Sequence, residues 1–321
     1  MVPAAALSFQ TIVRPSSTVD LLDRTFDRLV RRSDTGEAIA ELVSGLGETW
    51  STSTRSDWAE VVSLCQSHRV YGLLAEDPFT QRARSKPRGY AGDAVMIDYI
   101  YRGLPIGGFS TTALGREIFQ YTVGLSPSAR SVRDRRDLLA SRIDTTATRV
   151  TAPRILAVAC GHLREAADSS ALINGRVGHL CALDQDRESL GVIERDYGSI
   201  PAIEVCHGSV RDILKGKLPV ENFDLIYAAG LYDYLPQPVA RSLTTVLAAG
   251  LTSGGTLLLG NFLPAPACVG YMEAMMEWSL IWRTEDELRE LASGIPQADV
   301  GTIKGFLDSQ ECVAYLEITR R

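Results

Sequence analysis

The chemistry this chain could perform is concentrated in short stretches at the ends of apolar runs. Ala157-Val158-Ala159-Cys160-Gly161-His162 is a series of small residues where a helix is about to open, a place where a ligand can approach the backbone closely. Ala182-Leu183-Asp184-Gln185-Asp186 ends an apolar run on an acid. One role for an acid at that point is to cap the following helix, and Asp186 is better placed for it than Asp184. Cys206-His207-Gly208-Ser209-Val210-Arg211-Asp212 offers a hydroxyl and backbone donors beside an apolar face. FDLIYAAGLYDYL, residues 223–235, sets the small residues Ala228, Ala229 and Gly230 before Tyr232, Asp233 and Tyr234. Two more stretches combine basic, acidic and aromatic residues. One is Lys86-Pro87-Arg88-Gly89-Tyr90-Ala91-Gly92-Asp93; the other runs from Gly270-Tyr271-Met272-Glu273 through Glu277-Trp278 to Ile281-Trp282-Arg283.

Elements of a particular kind are needed to position these residues. In the first half, LLDRTFDRLVRR places Leu21, Leu22, Phe26, Leu29 and Val30 on one helical face. Further helices are predicted over about 35–46, 56–75, 93–102, 114–125 and 127–145, with a structured loop over 77–92 and a loose arm over 1–17. The pattern changes near Arg149. Strands are predicted at RVTAPRILAVACG, VGHLCALDQD, IEVCHGSV, NFDLIYAAG and LTSGGTLLLGNF, with helices at about 162–172, 188–197 and 236–249 between them and a last strand in ECVAYLEITRR. Strands alternating with helices of 10–15 residues imply a parallel sheet with right-handed crossovers. The expected fold is α/β, with a helical N-terminal cap over 1–145 and a Rossmann-like domain over 146–321. In such a sheet ligands bind beyond the carboxyl ends of the strands, where the stretches above fall.

Composition narrows the function classes. A net charge of −6 argues against a nucleic-acid partner, since phosphate neutralisation needs clustered Lys and Arg. No apolar run reaches the length of a membrane span, and MVPAAAL lacks the pattern of a signal peptide. The cysteines at 65, 160, 181, 206, 268 and 312 form no CxxC pair. They read as reduced core residues of a cytoplasmic protein, and no metal site is expected. A homodimer is compatible with all of this.

Taken in order, the stretches resemble the motifs of class I methyltransferases that use S-adenosylmethionine (SAM). The first motif of that family is an acid followed by GxGxG; here Ala157 stands for the acid, Ala159 for the first glycine and Leu163 for the last, and Gly161 is retained. The resemblance implies that Asp184, with Gln185 beside it, takes the ribose. It places Ser209 and Val210 at the adenine, and Ala228, Ala229 and Gly230 at the methionine end. Ala159 and Gly161 would line the cofactor. The turn Gly254-Gly255 before a strand matches the usual element after this region. The stretches around Arg88 and Tyr271 are similar to a bacterial group that includes methyltransferases acting on the carboxylate of 3-hydroxy fatty acids.

The acceptor decides what else the site needs. A carboxylate, with a pKa of roughly 4, is already a nucleophile at neutral pH and needs only a polar cradle. Arg88, Lys86, Tyr90 and Tyr271 could form one. An amine or guanidinium acceptor, such as that of a free amino acid, needs acids to orient it and take a proton. Asp93, Asp233, Glu273 and Glu277 could do that. Carboxylate O-methylation of a small molecule is the leading expectation and N-methylation the rival. SAM binding without transfer is the alternative of another class, motivated by the eroded glycine motif. On the acceptor side Tyr90, Asp93, Asp233 and Glu273 are the catalytic candidates, and Arg88, Tyr232, Tyr271 and Glu277 the substrate-binding ones. Plainer roles compete: Arg88 pairing with Asp93, packing for Tyr232 and Tyr234, a solvated Glu277, and a helix-start role for His162. Ala157 leaves the methionine amine without its usual acid, for which Glu165 or a residue near Tyr90 would have to substitute.

Overall fold

The computed structural model describes residues 15–103 and 111–321. The expected loose arm lies mostly outside the described residues. The chain divides into two compact units. Among the described residues, one comprises 15–85 together with 111–121 and 266–279; the other comprises 86–103, 122–265 and 280–321. The division does not follow a single cut near residue 145: the loop around Tyr90 and the helix over 127–149 fold with the sheet, and 266–279 folds with the helices.

The helical unit contains α1 (Pro15–Arg31), α2 (Thr35–Thr52), α3 (Arg55–Ser67), α4 (Arg69–Leu74) and α5 (Pro78–Ser85). The single helix expected over 56–75 is broken at His68. That residue is extended, and its ring nitrogen accepts the amide of Val70 to start a new helix. The expected loop from 77 is helical to Ser85, because the Asp77 carboxylate caps it by accepting from the amides of Phe79 and Thr80. The segment 266–276 packs against α2 so closely that a Cβ on Gly270 would lie 2.5 Å from the Leu46 backbone. Only glycine allows that approach.

The sheet unit is led by α6 (Ala94–Arg102). The next helix, α7 (Ala113–Phe119), belongs to the helical unit, and α8 (Pro127–Arg149) returns to the sheet. Seven strands follow: β1 (Arg154–Val158), β2 (His179–Asp184), β3 (Ile203–His207), β4 (Phe223–Ala228), β5 (Leu251–Phe262), β6 (Val300–Leu307) and β7 (Val313–Arg320). Their order is β3-β2-β1-β4-β5-β7-β6. The first five are parallel, as expected. β7 is antiparallel to both β5 and β6. β6 had no counterpart in the sequence reading. It pairs with β7 as a hairpin whose turn is held by the Asp308 carboxylate, which accepts the amides of Cys312 and Val313 at 2.8 Å.

The crossovers supply α9 (Ser170–Ile173), α10 (Arg187–Tyr197), α11 (Val210–Leu214) and α12 (Gln237–Ala249). The helix expected over 162–172 is a 3-10 turn at Arg164–Ala167 followed by the short α9. Leu156, Val158, Ile226, Ala228, Leu257 and Leu259 pack on Leu243 and Leu247 of α12 to form one core. Alternate residues of the same strands face the other side. Ala157 and Tyr227 are neighbours in register there. Burial on both faces is why these strands read as continuous apolar runs.

Candidate active site

The chain reverses its direction of travel across the sheet at β1, whose two neighbours are β2 and β4. In open α/β sheets ligands bind outside the carboxyl ends of the strands at such a switch point. The loop after β1 carries three left-handed residues at alternate positions: Ala159 (φ 52°), Gly161 (φ 56°) and Leu163 (φ 51°). They are the positions that the sequence resemblance aligns with the three glycines of GxGxG, and only Gly161 is a glycine there. A non-glycine residue in this region costs roughly 1–2 kcal/mol, so the surroundings must enforce the shape.

Asp184 provides part of that enforcement. It is buried at the end of β2, where one carboxylate oxygen accepts the Gly161 amide at 2.8 Å and the other the Asp186 amide at 2.9 Å. Burial pushes its carboxyl up, and the amides of Asp186 and Gly161 pull it back in part. A carboxylate has about four lone-pair sites; the Gln185 amide also draws on this one, and the remainder is left for a ligand hydroxyl. Backbone bonds tie the neighbouring loops together: Cys160 donates to the Leu183 carbonyl, and Gly208 to the Asp184 carbonyl. Gln185 is exposed beside them.

A second brace comes from α6. Asp98 is buried and receives Nε and Nη2 of Arg164 at 2.7 and 2.6 Å, and it lies 2.9 Å from His162 Nδ1. Burial works against its charge, but Arg164 and His162 hold its carboxyl down at about 2. Asp98 was absent from the sequence-based candidates. Its signal, an acid inside an otherwise amphipathic helix, does not name its partners.

The acceptor-side candidates need correction. Arg88 is no open cradle: its Nη1 donates to Asp186 at 2.7 Å and Ser189 at 3.0 Å, and its Nη2 lies 3.2 Å from Glu188. Its partner is thus not Asp93, which is fully buried and caps α6 by accepting the Met96 amide. Tyr232 is fully buried in the core with its hydroxyl against Thr244, and so packs rather than binds. Ser209 spends its hydroxyl in a capping box with Asp212 at the start of α11; Val210 packs on the core. Asp233 is buried, accepts the Phe262 amide at 2.7 Å, and is pushed up to about 6 by that burial. Tyr90 is half-buried and meets Tyr234 edge to face at 6.0 Å. Burial, together with the charges of Asp184, Asp93 and Asp186, raises its phenol to about 12. At neutral pH it is a hydrogen-bond donor, not a base.

At β4, Ala228 and Ala229 are buried and Gly230 is exposed. The space next to Ala157 is taken by Tyr227, whose hydroxyl donates to the buried Glu165 at 2.7 Å. Glu165 is thus held by Tyr227, the β4 neighbour of Ala157.

The other three candidates lie in the helical unit. Glu273 accepts from Trp58 Nε1 at 2.8 Å, and Glu277 accepts from the Tyr71 hydroxyl. Tyr271 is buried near Thr80, and burial raises its phenol. The two glutamates are engaged by aromatic donors of helices far away in sequence. Among the described residues no group of three His, Cys, Asp or Glu is arranged to hold a metal.

No protein-family model matches the sequence, and no curated protein matches it. Among solved structures, the chain is similar to a possible exported protein from Bordetella parapertussis, with 15% identity, coverage of 98% of this chain and 99% of that one, and a TM-score of 0.58. This likeness spans both chains and concerns the fold alone. The chain is also similar to the N-methyltransferase NodS from Bradyrhizobium japonicum WM9 in complex with S-adenosyl-L-homocysteine (SAH), at 15% identity, 62% and 91% coverage and a TM-score of 0.44. It is similar too to magnesium protoporphyrin IX methyltransferase from Synechocystis PCC 6803 with bound SAH, at 10% identity, 71% and 99% coverage and a TM-score of 0.47. The fold itself is a seven-stranded mixed sheet in the order given above, preceded by helices.

Proposed function

We propose that this protein binds SAM at the β1–β4 switch point and transfers its methyl group to a heteroatom of a small molecule. The observation that carries the reading is the left-handed series Ala159, Gly161, Leu163, with the middle amide fixed by Asp184. Strain of this kind persists where the surroundings impose it and collects at functional sites. Asp184 would hold the ribose, Ala159 and Gly161 the backbone-lined approach, Val210 the adenine flank, and Ala228 to Gly230 the methionine end. When bound, SAM supplies an electrophilic methyl on a sulfonium. The acceptor displaces SAH in line as its bond to the methyl forms and the S–C bond breaks. The protein's contribution is alignment, worth up to roughly 7–11 kcal/mol in favourable systems.

A carboxylate acceptor fits best. It needs no base, and Tyr90, protonated at neutral pH, can donate a hydrogen bond to it. Arg88 no longer supports this reading, because it is already engaged by acids. The rival, an amine or guanidino acceptor, is favoured by one observation: Asp233, at about 6, could share a proton near neutrality.

The test is SAH formation with a panel of 3-hydroxy and simple fatty acids beside free amino acids including arginine. Products would be read by mass and by lability to mild alkali. An alkali-labile methyl ester supports the carboxylate reading, and a stable N-methyl product supports the rival. SAM binding without turnover across the panel would make the protein a SAM-binding protein.

A further inference from the structure

The helix before β1 carries a buried cation that the cofactor reading does not use. Arg135 of α8 is buried and donates Nη1 to the Ala229 carbonyl at 2.7 Å. Tyr101 and the charge of Asp233 both favour its charged form. Glu165, the acid under Tyr227, is close enough to feel the same charge. Burying a guanidinium is costly unless its donors are used, and here one of them is used on the loop after β4. The same nitrogen would lie 3.3 Å from a Cβ placed on Gly230.

We propose that Arg135 is a positioning residue for the amino-acid end of the cofactor, an inference that rests on the SAM reading above. The peptide between Ala229 and Gly230 is planar and trans. Its N–H therefore points opposite to its C=O. Fixing the Ala229 carbonyl on Arg135 turns the Gly230 amide away from the buried guanidinium. The amide becomes a donor oriented from inside the fold, suited to the carboxylate-bearing end of SAM or SAH. Adenosine contacts, made by other loops, do not depend on it.

The experiment compares two ligands by calorimetry: SAH, and 5′-methylthioadenosine, which has the nucleoside and sulfur but no amino-acid group. Arg135→Met should weaken SAH about tenfold or more, the scale of a lost hydrogen bond to a charged group, and leave methylthioadenosine within about twofold. Amide exchange of the free protein should quicken at 228–232. Gly230→Ala, which keeps the buried charge and displaces the loop, should show the same ligand selectivity and serves if Arg135→Met does not fold. Arg142→Met, on the same helix where Arg142 pairs with Glu317, should change neither affinity. Equal loss of both ligands, or unchanged SAH affinity, overturns the positioning role while leaving the SAM reading intact. A wild-type protein that binds neither ligand takes down both.

Discussion

Asp184 and Gly161 are 23 residues apart, and the carboxylate of one accepts the amide of the other at 2.8 Å. The bond joins the end of β2 to the centre of the loop after β1. It makes Asp184 a brace of the left-handed loop, in addition to the ribose role proposed for it. An acid used only as a cap would not reach across the sheet to the loop after β1.

Asp184→Asn replaces one acceptor oxygen by a donor that opposes a backbone amide. SAM affinity should fall by roughly 1.5–3 kcal/mol, or about 10- to 150-fold. Calorimetric titration of the folded variant checks this, and unchanged affinity would remove Asp184 from the site.

Ala159→Gly should stabilise the free protein. The left-handed conformation costs alanine roughly 1–2 kcal/mol, whereas glycine adds roughly 0.5–1 kcal/mol of backbone entropy. A net gain of about 0.5–1 kcal/mol in denaturant unfolding is expected at this position, whose φ is 52°. A loss would show that the loop does not hold this shape in solution.

Asp98→Asn should cost stability in a pH-dependent way. The folded carboxyl titrates at about 2 against an unfolded value of 3.8. A lowered pKa contributes stability that is present above the unfolded value and is lost as pH falls through the folded one. The wild type should therefore exceed the variant by about 2 kcal/mol more at pH 6 than near pH 2. Unfolding free energies at a series of acid pH values measure that gap, and a gap constant with pH would break the assignment to Asp98.

Asp233→Asn should show the opposite slope. Here the folded value is about 6 against 3.8. A raised pKa contributes stability present below the unfolded value and lost as pH rises through the folded one. The wild type should lose roughly 2–3 kcal/mol relative to the variant between pH 4 and pH 7. Parallel stability curves would mean that Asp233 titrates normally, and with them the amine reading would lose its proton acceptor.

The sequence by itself determined the α/β class, the five parallel strands in chain order, and Asp184 at the end of the second. Apolar periodicity, cap chemistry and strand-end position are written within a few neighbouring residues, so they can be read there. It did not contain the antiparallel β7 beside β5, since pairing direction is a relation between distant segments. Nor did it contain the partners of its polar side chains. Arg88 meets Asp186 across 98 positions, Glu273 meets Trp58 across 215, and Arg135 meets Ala229 across 94. Tyr232 and Tyr234 stand two residues apart in one motif, yet Tyr232 is sealed in the core and Tyr234 meets Tyr90. Whether a charged or aromatic residue binds a ligand depends on what already satisfies it, and only the tertiary structure brings those groups together.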